Sequence, residues 1–368
     1  MLERLVLRRA TLADGKTTVD IVIEDGVIAE VTAAGNASAT DGSMIDCSGL
    51  YISSGWVDLH VHAFPEFDPY GDDIDEIGVK QGVTTIVDAG SCGADRIGDL
   101  AASRSKAMTN VFALLNVSKI GLLRIDELSD IGWLDRESAL QAIRAYPGFI
   151  VGWKARMSGS VVRNNGIKPL YIARELAEET DLPLMVHIGS APPRIQDILP
   201  LLAKNDVVTH YLNGKSNNLF DDGQPLNELT EAMARGVRLD VGHGTASFSF
   251  KIAEAAKRSG IRFDTISSDI YRGNRQNGPV RSLSHVMSKF MYLGYSLSEV
   301  IDAVTVQAAE WLKKPELGRI QVGDQANLTL FSVHHEQTEF VDSEGDKRLG
   351  DHQIQAKGVF VNGRFIEC

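Results

Sequence analysis

Two histidines one residue apart close the run GWVDLHVH, Gly55 to His62. Residues i and i+2 of a strand project to the same face, so His60 and His62 point together and Val61 points away. Burying two imidazoles side by side costs desolvation unless something polar lies between them. A metal ion would serve; so would hydrogen bonds that satisfy two ordinary core histidines. Further residues of ligand type end later apolar runs: Lys154 in FIVGWKARMS, His187 in LPLMVHIG, His210 in DVVTHYLN and Asp269 in DTISSDI. Any one of these histidines alone reads as a core residue. Four imidazoles and a carboxylate at matching strand ends are metal-ligand types at metal-ligand places, hard to explain by chance.

Lys154 follows Gly152 and Trp153 inside a strand expected to be buried, where a free ammonium is costly without a partner. It either pairs with Asp269 or snorkels to the mouth, or has a lowered pKa that frees the neutral amine to take up carbon dioxide as a carbamate. A carbamate offers two oxygens and could bridge two cations, one on His60 and His62, the other on His187 and His210. Arg156, two residues on, shares the strand face, and a guanidinium fork suits a substrate carboxylate; a structural arginine paired with a loop acid fits equally. His243 in VGHG reads as a substrate contact or a structural histidine. Tyr211, Asn213 and the loop RGNRQNGPV after Asp269 fall at the same expected mouth.

Such residues need a scaffold that gathers strand ends. Eight apolar runs, IDCSGLYISSGWVDLH, TTIVDAG, NVFALLNVS, FIVGWKARMS, LPLMVHIG, DVVTHYLN, RLDVGHG and DTISSDI, alternate with helical stretches such as KPLYIARELAEETD and FKIAEAAKRSG. Eight strand–helix units in about 250 residues is the size of a (β/α)8 TIM barrel, whose catalytic groups sit at the C-terminal strand ends. A doubly wound open sheet fits the alternation too, but no GxGxxG follows the first strand. The flanks read as hairpins, with turn pairs Asp14-Gly15, Asp25-Gly26 and Asn362-Gly363. The expected architecture is therefore α/β: a distorted barrel over 54–312 and a small β-sandwich domain formed by 1–53 and 313–368.

The 368 residues carry a net charge of -12, without the clustered Lys and Arg that a nucleic-acid surface needs. No run of 18 apolar residues suggests a membrane span and no leader is evident, which points to the cytoplasm. Three widely spaced cysteines, Cys47, Cys92 and Cys368, fit a reducing compartment. A symmetric homo-oligomer is the base-rate expectation.

The DLHVH run, Lys154, the two later histidines and Asp269, framed by GRIQVGDQANLTLF and VFVNGRFI, resemble the amidohydrolase superfamily of metal-dependent hydrolases, dihydroorotase-like branch. The resemblance spans essentially the whole chain. It implies two Zn2+ per chain bridged by carboxylated Lys154, with Asp269 as both metal ligand and general base. The KARMS stretch looks like a subgroup that hydrolyses N-acetylated or O-acetylated α-substituted carboxylic acids, so the implied partner is a small molecule bearing a carboxylate. The dihydroorotase pattern sets an arginine shortly after HxH; Ala63-Phe64-Pro65 stands there instead. Alternatives are a cyclic amidase opening a dihydroorotate- or hydantoin-like ring, a mononuclear deaminase, or a non-catalytic scaffold.

Overall fold

The computed structural model describes residues 4–37 and 43–368. Residues 1–3 and 38–42, inside the expected 1–53 segment, lie outside the described residues. The chain opens with strands β1 (Arg4–Leu12), β2 (Thr18–Glu24), β3 (Val27–Ala33), β4 (Ser43–Asp46) and β5 (Tyr51–Ser54). Asp25 and Gly26 both hold positive φ (48° and 83°), the twist a two-residue hairpin needs.

The run from Ile45 to His60, read above as one strand, is divided between two sheets. Its first part is the end of β4 and then β5; its last part is β6 (Trp56–Val61), the first strand of the barrel. The chain crosses over at Gly55, where a Cβ would stand 2.1 Å from Thr84 Oγ1, so only glycine lets the two sheets approach. Composition hides this break because both sheets bury their strands.

The barrel continues through β7 (Val83–Ala89), β8 (Asn110–Asn116), β9 (Ile150–Met157), β10 (Leu184–Ile188) and β11 (Val207–Thr209). A two-residue ribbon follows, β12 (Phe220–Asp221) and β13 (Gln224–Pro225), and then β14 (Arg238–Asp240). The parallel order is β14-β11-β10-β9-β8-β7-β6. The eighth run, DTISSDI, forms no regular strand yet closes the ring: Thr265 bridges Asp240 and Ile270 bridges Val61, both in parallel. Asp269 adopts φ 52°, which breaks the extended backbone where a strand would otherwise run on. The helices Lys168–Thr180 and Phe250–Arg258 fall on the expected stretches.

The terminal part supplies β15 (Leu328–His334), β16 (Thr338–Val341), β17 (Lys347–Gly350), β18 (Gln353–Val361) and β19 (Arg364–Glu367). Strands from both ends form one sheet, β19-β18-β15-β5-β1-β2-β3, with β4 also on β1. The sheet curls until Ile28 N–H donates to Asp324 O and Ala326 N–H to Gly26 O. Alternate residues such as Leu5, Leu7, Ile21, Ile23, Ile52, Leu328 and Leu330 fill a shared core. The β16–β17 hairpin instead rests on the barrel, where Asp342 Oδ2 accepts from Phe250 N at 2.9 Å. Beneath the strand ends, Val57, Leu59, Val87, Ala89, Leu114, Met185 and Val207 pack with Ala308, Trp311 and Leu312 into an apolar plug. No helix among the described residues is long and apolar enough to cross a membrane.

Candidate metal centre

His60 and His62 leave the end of β6 with ring centroids 5.6 Å apart. Asp269 reaches them from the closing segment: its Oδ1 lies 3.5 Å from His60 Nε2 and 3.2 Å from His62 Nε2. Ligand atoms of these three residues fall within 4.8 Å of one another. His210 follows β11, its ring centroid 5.0 Å from that of His60 and 4.3 Å from that of His187 on β10. Lys154 on β9 brings Nζ to 3.0 Å from His60 Nε2. Thus all six ligand-type residues singled out in the sequence converge. Gly244 (φ 54°) faces Asp269 so closely that a Cβ would lie 2.2 Å from Oδ2.

Hydrogen bonds on the far side of the rings aim the Nε2 atoms. His60 Nδ1 bonds Thr209 Oγ1 at 2.9 Å, and Thr209 donates on to buried Asp240 at 2.7 Å. His62 Nδ1 bonds Ser91 Oγ at 2.9 Å. His210 Nδ1–H donates to Gly242 O at 2.5 Å, so its Nε2 carries a lone pair, and that atom is buried with no hydrogen-bond partner. Burial, with neighbouring cations, pulls His60 and His187 well below the ordinary histidine value and His210 to about 3. Neutral rings oriented through Nδ1 are the ligand state of histidine. Burial pushes the Asp269 carboxyl up, but the surrounding imidazoles outweigh it and hold the group well below the carboxylate range. Burial also brings Lys154 down to about 7. An orphaned buried nitrogen, neutral imidazoles and an ionised carboxylate together suit a divalent cation.

A cavity of about 200 Å3 opens over these groups, lined by His60, His62, Lys154, Arg156, His187 and Asp269 among others. That is space for a small molecule. The cavity corrects the reading of the other residues. Arg156 lines it, but its fork is engaged by fully buried Glu127, Nε to Oε1 at 2.9 Å and Nη2 to Oε2 at 2.6 Å, as the structural reading allowed. His243 is not at the wall: it stacks on Phe248, donates from Nδ1 to Gly244 O and accepts from Lys289 Nζ at 2.7 Å. Tyr211 is part of the apolar core. Asn213, also buried, donates to His210 O at 2.8 Å and so braces the loop beneath the cavity. These three misplacements share a cause, since the chain turns at His210 (φ 67°) and at Gly242, and alternation no longer predicts direction beyond a turn.

Several positions at the cavity escape sequence reasoning. Tyr70 and Tyr271 line the cavity with centroids 5.2 Å apart, and Glu127 and Lys215 complete its charged wall. Asp240 reaches His60 through Thr209, and Asp58 accepts from Ser268 N beside Asp269; acids inside the apolar runs RLDV and WVDL are the signal that could have found them. Arg275 grips buried Asp72 at 2.7 and 2.9 Å, tying the loop after β6 to the helix Arg272–Asn277 beyond Asp269.

Comparison with known proteins agrees with this geometry. Residues 51–365 match the amidohydrolase family. A deacetylase of Enterococcus faecalis is 42% identical over 352 residues, covering 95% of each chain. Among solved structures, an adenine deaminase superposes with a TM-score of 0.94 at 40% identity, covering 99% of both chains. A dihydroorotase superposes with a TM-score of 0.89 at 32% identity, covering 99% of this chain and 98% of that one. A match that begins at β5 and ends in the last hairpin settles the assignment: the chain belongs to the amidohydrolase family, and it is a hydrolase.

Proposed function

We propose that the protein is a binuclear zinc deacetylase that cleaves the amide or ester bond of an N-acyl or O-acyl α-substituted carboxylic acid. His60 and His62 would hold one cation, His187 and His210 the other, with carboxylated Lys154 between them and Asp269 on the first. Bound there, the cations would polarise the scissile carbonyl and lower the pKa of water toward neutrality. The chain's own part follows from its geometry. Asp269, ionised and 3.2 Å from His62 Nε2, takes the proton of the attacking water on a carboxylate oxygen and returns it to the leaving nitrogen or oxygen. Tyr70 and Tyr271 wall the substrate against the ligands, and the apolar plug below keeps the site poor in water.

The observation that carries the bridged centre is Lys154, fully buried, 3.0 Å from a neutral imidazole and drawn to about 7. The choice of deacylation is supported by likeness to a deacetylase over nearly the full length of both chains. Ring opening of a cyclic amide is the second reading, favoured by the dihydroorotase superposition.

Elemental analysis of protein expressed with zinc and bicarbonate tests the centre: about two zinc ions per chain is expected for a bridged site, and one or fewer would overturn it. Acetate release from N-acetyl and O-acetyl acids of both hands, set against ring opening of dihydroorotate and hydantoins, decides between the two reactions.

A further inference from the structure

The cavity wall holds two cations besides Lys154, namely Arg156 and Lys215, and they differ in what they still need. The Arg156 fork is matched by Glu127, and its Nη2 also donates to Ile125 O at 2.7 Å. Lys215 bonds only through its backbone: its N–H donates to Asn213 Oδ1 at 3.1 Å and its carbonyl accepts from Asn218 Nδ2 at 2.6 Å. Its ammonium makes no hydrogen bond or ion pair among the described residues.

The loop that carries Lys215 is held firmly. Asn217 donates to Gly189 O at 2.8 Å and to Pro193 O at 3.2 Å, and accepts from Ile195 N at 3.0 Å. Asn218 accepts from Phe220 N at 2.8 Å, and Asn213 donates to His210 O. Gly214 lies against the Glu344 carboxylate of the terminal β16–β17 hairpin, so that a Cβ there would come within 2.4 Å of Oε1. Three asparagines thus satisfy backbone groups and leave one long cation over the cavity, at the wall it shares with an outer cavity lined by Lys251 and Arg258. A partly buried ammonium without a hydrogen-bonded counter-charge is costly, and a carboxylate is the partner that removes the cost through a charge-assisted hydrogen bond. Burial draws Lys215 below the ordinary lysine value, and the Asp269 carboxylate across the cavity, which makes no hydrogen bond to it, offsets only part of that.

We propose that Lys215, and not Arg156, recognises the substrate carboxylate, and that Asn213 is a positioning residue that sets Lys215 in place. The proposal rests on the reading of this cavity as the site for an acylated acid and assigns the group that selects it.

The test is made on the zinc-loaded enzyme by calorimetry, with phenylacetate and the neutral phenylacetamide as probes. Wild type should bind the acid tighter than the amide, and Lys215→Met should lower that preference about 10- to 100-fold, the size of a hydrogen bond to a charged group. Lys215→Gln, which keeps a polar end one atom shorter and without charge, should behave as Met does, and Lys215→Arg should restore part of the preference. Asn213→Ala should lower the preference in the wild-type background and leave it unmoved in the Lys215→Met background. No preference in wild type, or an unchanged preference in Lys215→Met, would overturn the proposal. The binding ratio needs no turnover, so failure to release acetate from any acyl acid would sink the deacetylase reading and leave the assignment of Lys215 to be judged by itself.

Discussion

Two buried lysines of this protein each rest on a histidine Nε2, Lys154 on His60 at 3.0 Å and Lys289 on His243 at 2.7 Å. Burial draws both toward about 7. Their remaining partners differ. Lys289 also donates to Pro279 O at 3.0 Å and Val341 O at 2.7 Å, so each of its three N–H groups has an acceptor. Lys154 has only the Met185 thioether at 3.5 Å, and it faces the cavity. Three acceptors hold Lys289 as a clamp between the loop after β14, the Pro279 turn and the terminal hairpin. Lys154, left with a weak acceptor, has its neutral amine within reach of chemistry. On the proposed reading, the number of acceptors, more than depth of burial, separates the structural lysine from the one open to carboxylation.

Four experiments press on that contrast. Asp269 is the ionised group the Lys154 side has within reach of its imidazoles, and Asp269→Asn should lower turnover by about 10^3-fold, the usual weight of a general base, while retaining much of the metal. Unchanged turnover would remove Asp269 from proton transfer. Lys154→Met should lower zinc content toward one ion per chain and cut turnover by about 10^2-fold, near the low end of what a single catalytic group contributes; retention of both would make Lys154 a second structural lysine. Lys289→Met should act on stability instead, by about 3 kcal/mol in urea titration, because His243 and two carbonyls lose their donor in a buried place. A loss of zinc with no loss of stability would erase the distinction.

The smallest effect is a pH dependence. The Lys154 amine is neutral above about 7 and protonated below it, and only the neutral form takes up carbon dioxide. Recovery of metal-depleted protein by zinc at a fixed concentration of dissolved carbon dioxide should therefore slow by about tenfold per unit as pH falls below that value. A flat profile from pH 6 to 8 would argue against carboxylation.

How much of this is legible in the residues themselves depends on how far apart the interacting partners lie. His60, His62, Lys154, His187, His210 and Asp269 each end an apolar run, and a barrel gathers strand ends, so period and residue type were enough to bring them together. The (β/α)8 pattern was legible for the same reason. Arg156 looked like a carboxylate fork because Glu127, which matches it, arrives 29 residues earlier on a loop with no period. His243 looked like a mouth residue because Lys289 reaches it from a helix 46 residues on. The split of the run from Ile45 to His60 needed the close contact of Gly55 with Thr84, which local pattern does not encode. Local regularity predicts where elements end; only tertiary contacts decide which polar groups are already satisfied there.

The pairing of β5 with β15 has a consequence for biosynthesis. Ser54 finds its register partner only at Leu328, so the β5 edge stays open until the far end of the chain has been made. At translation speeds of roughly 5–20 residues per second, that gap lasts on the order of 10 to 60 s. Through that interval an apolar strand edge is presented to solvent or to a neighbouring nascent chain. Expression yield should accordingly respond to slower growth and to chaperone supply before it responds to any change at the histidine cluster.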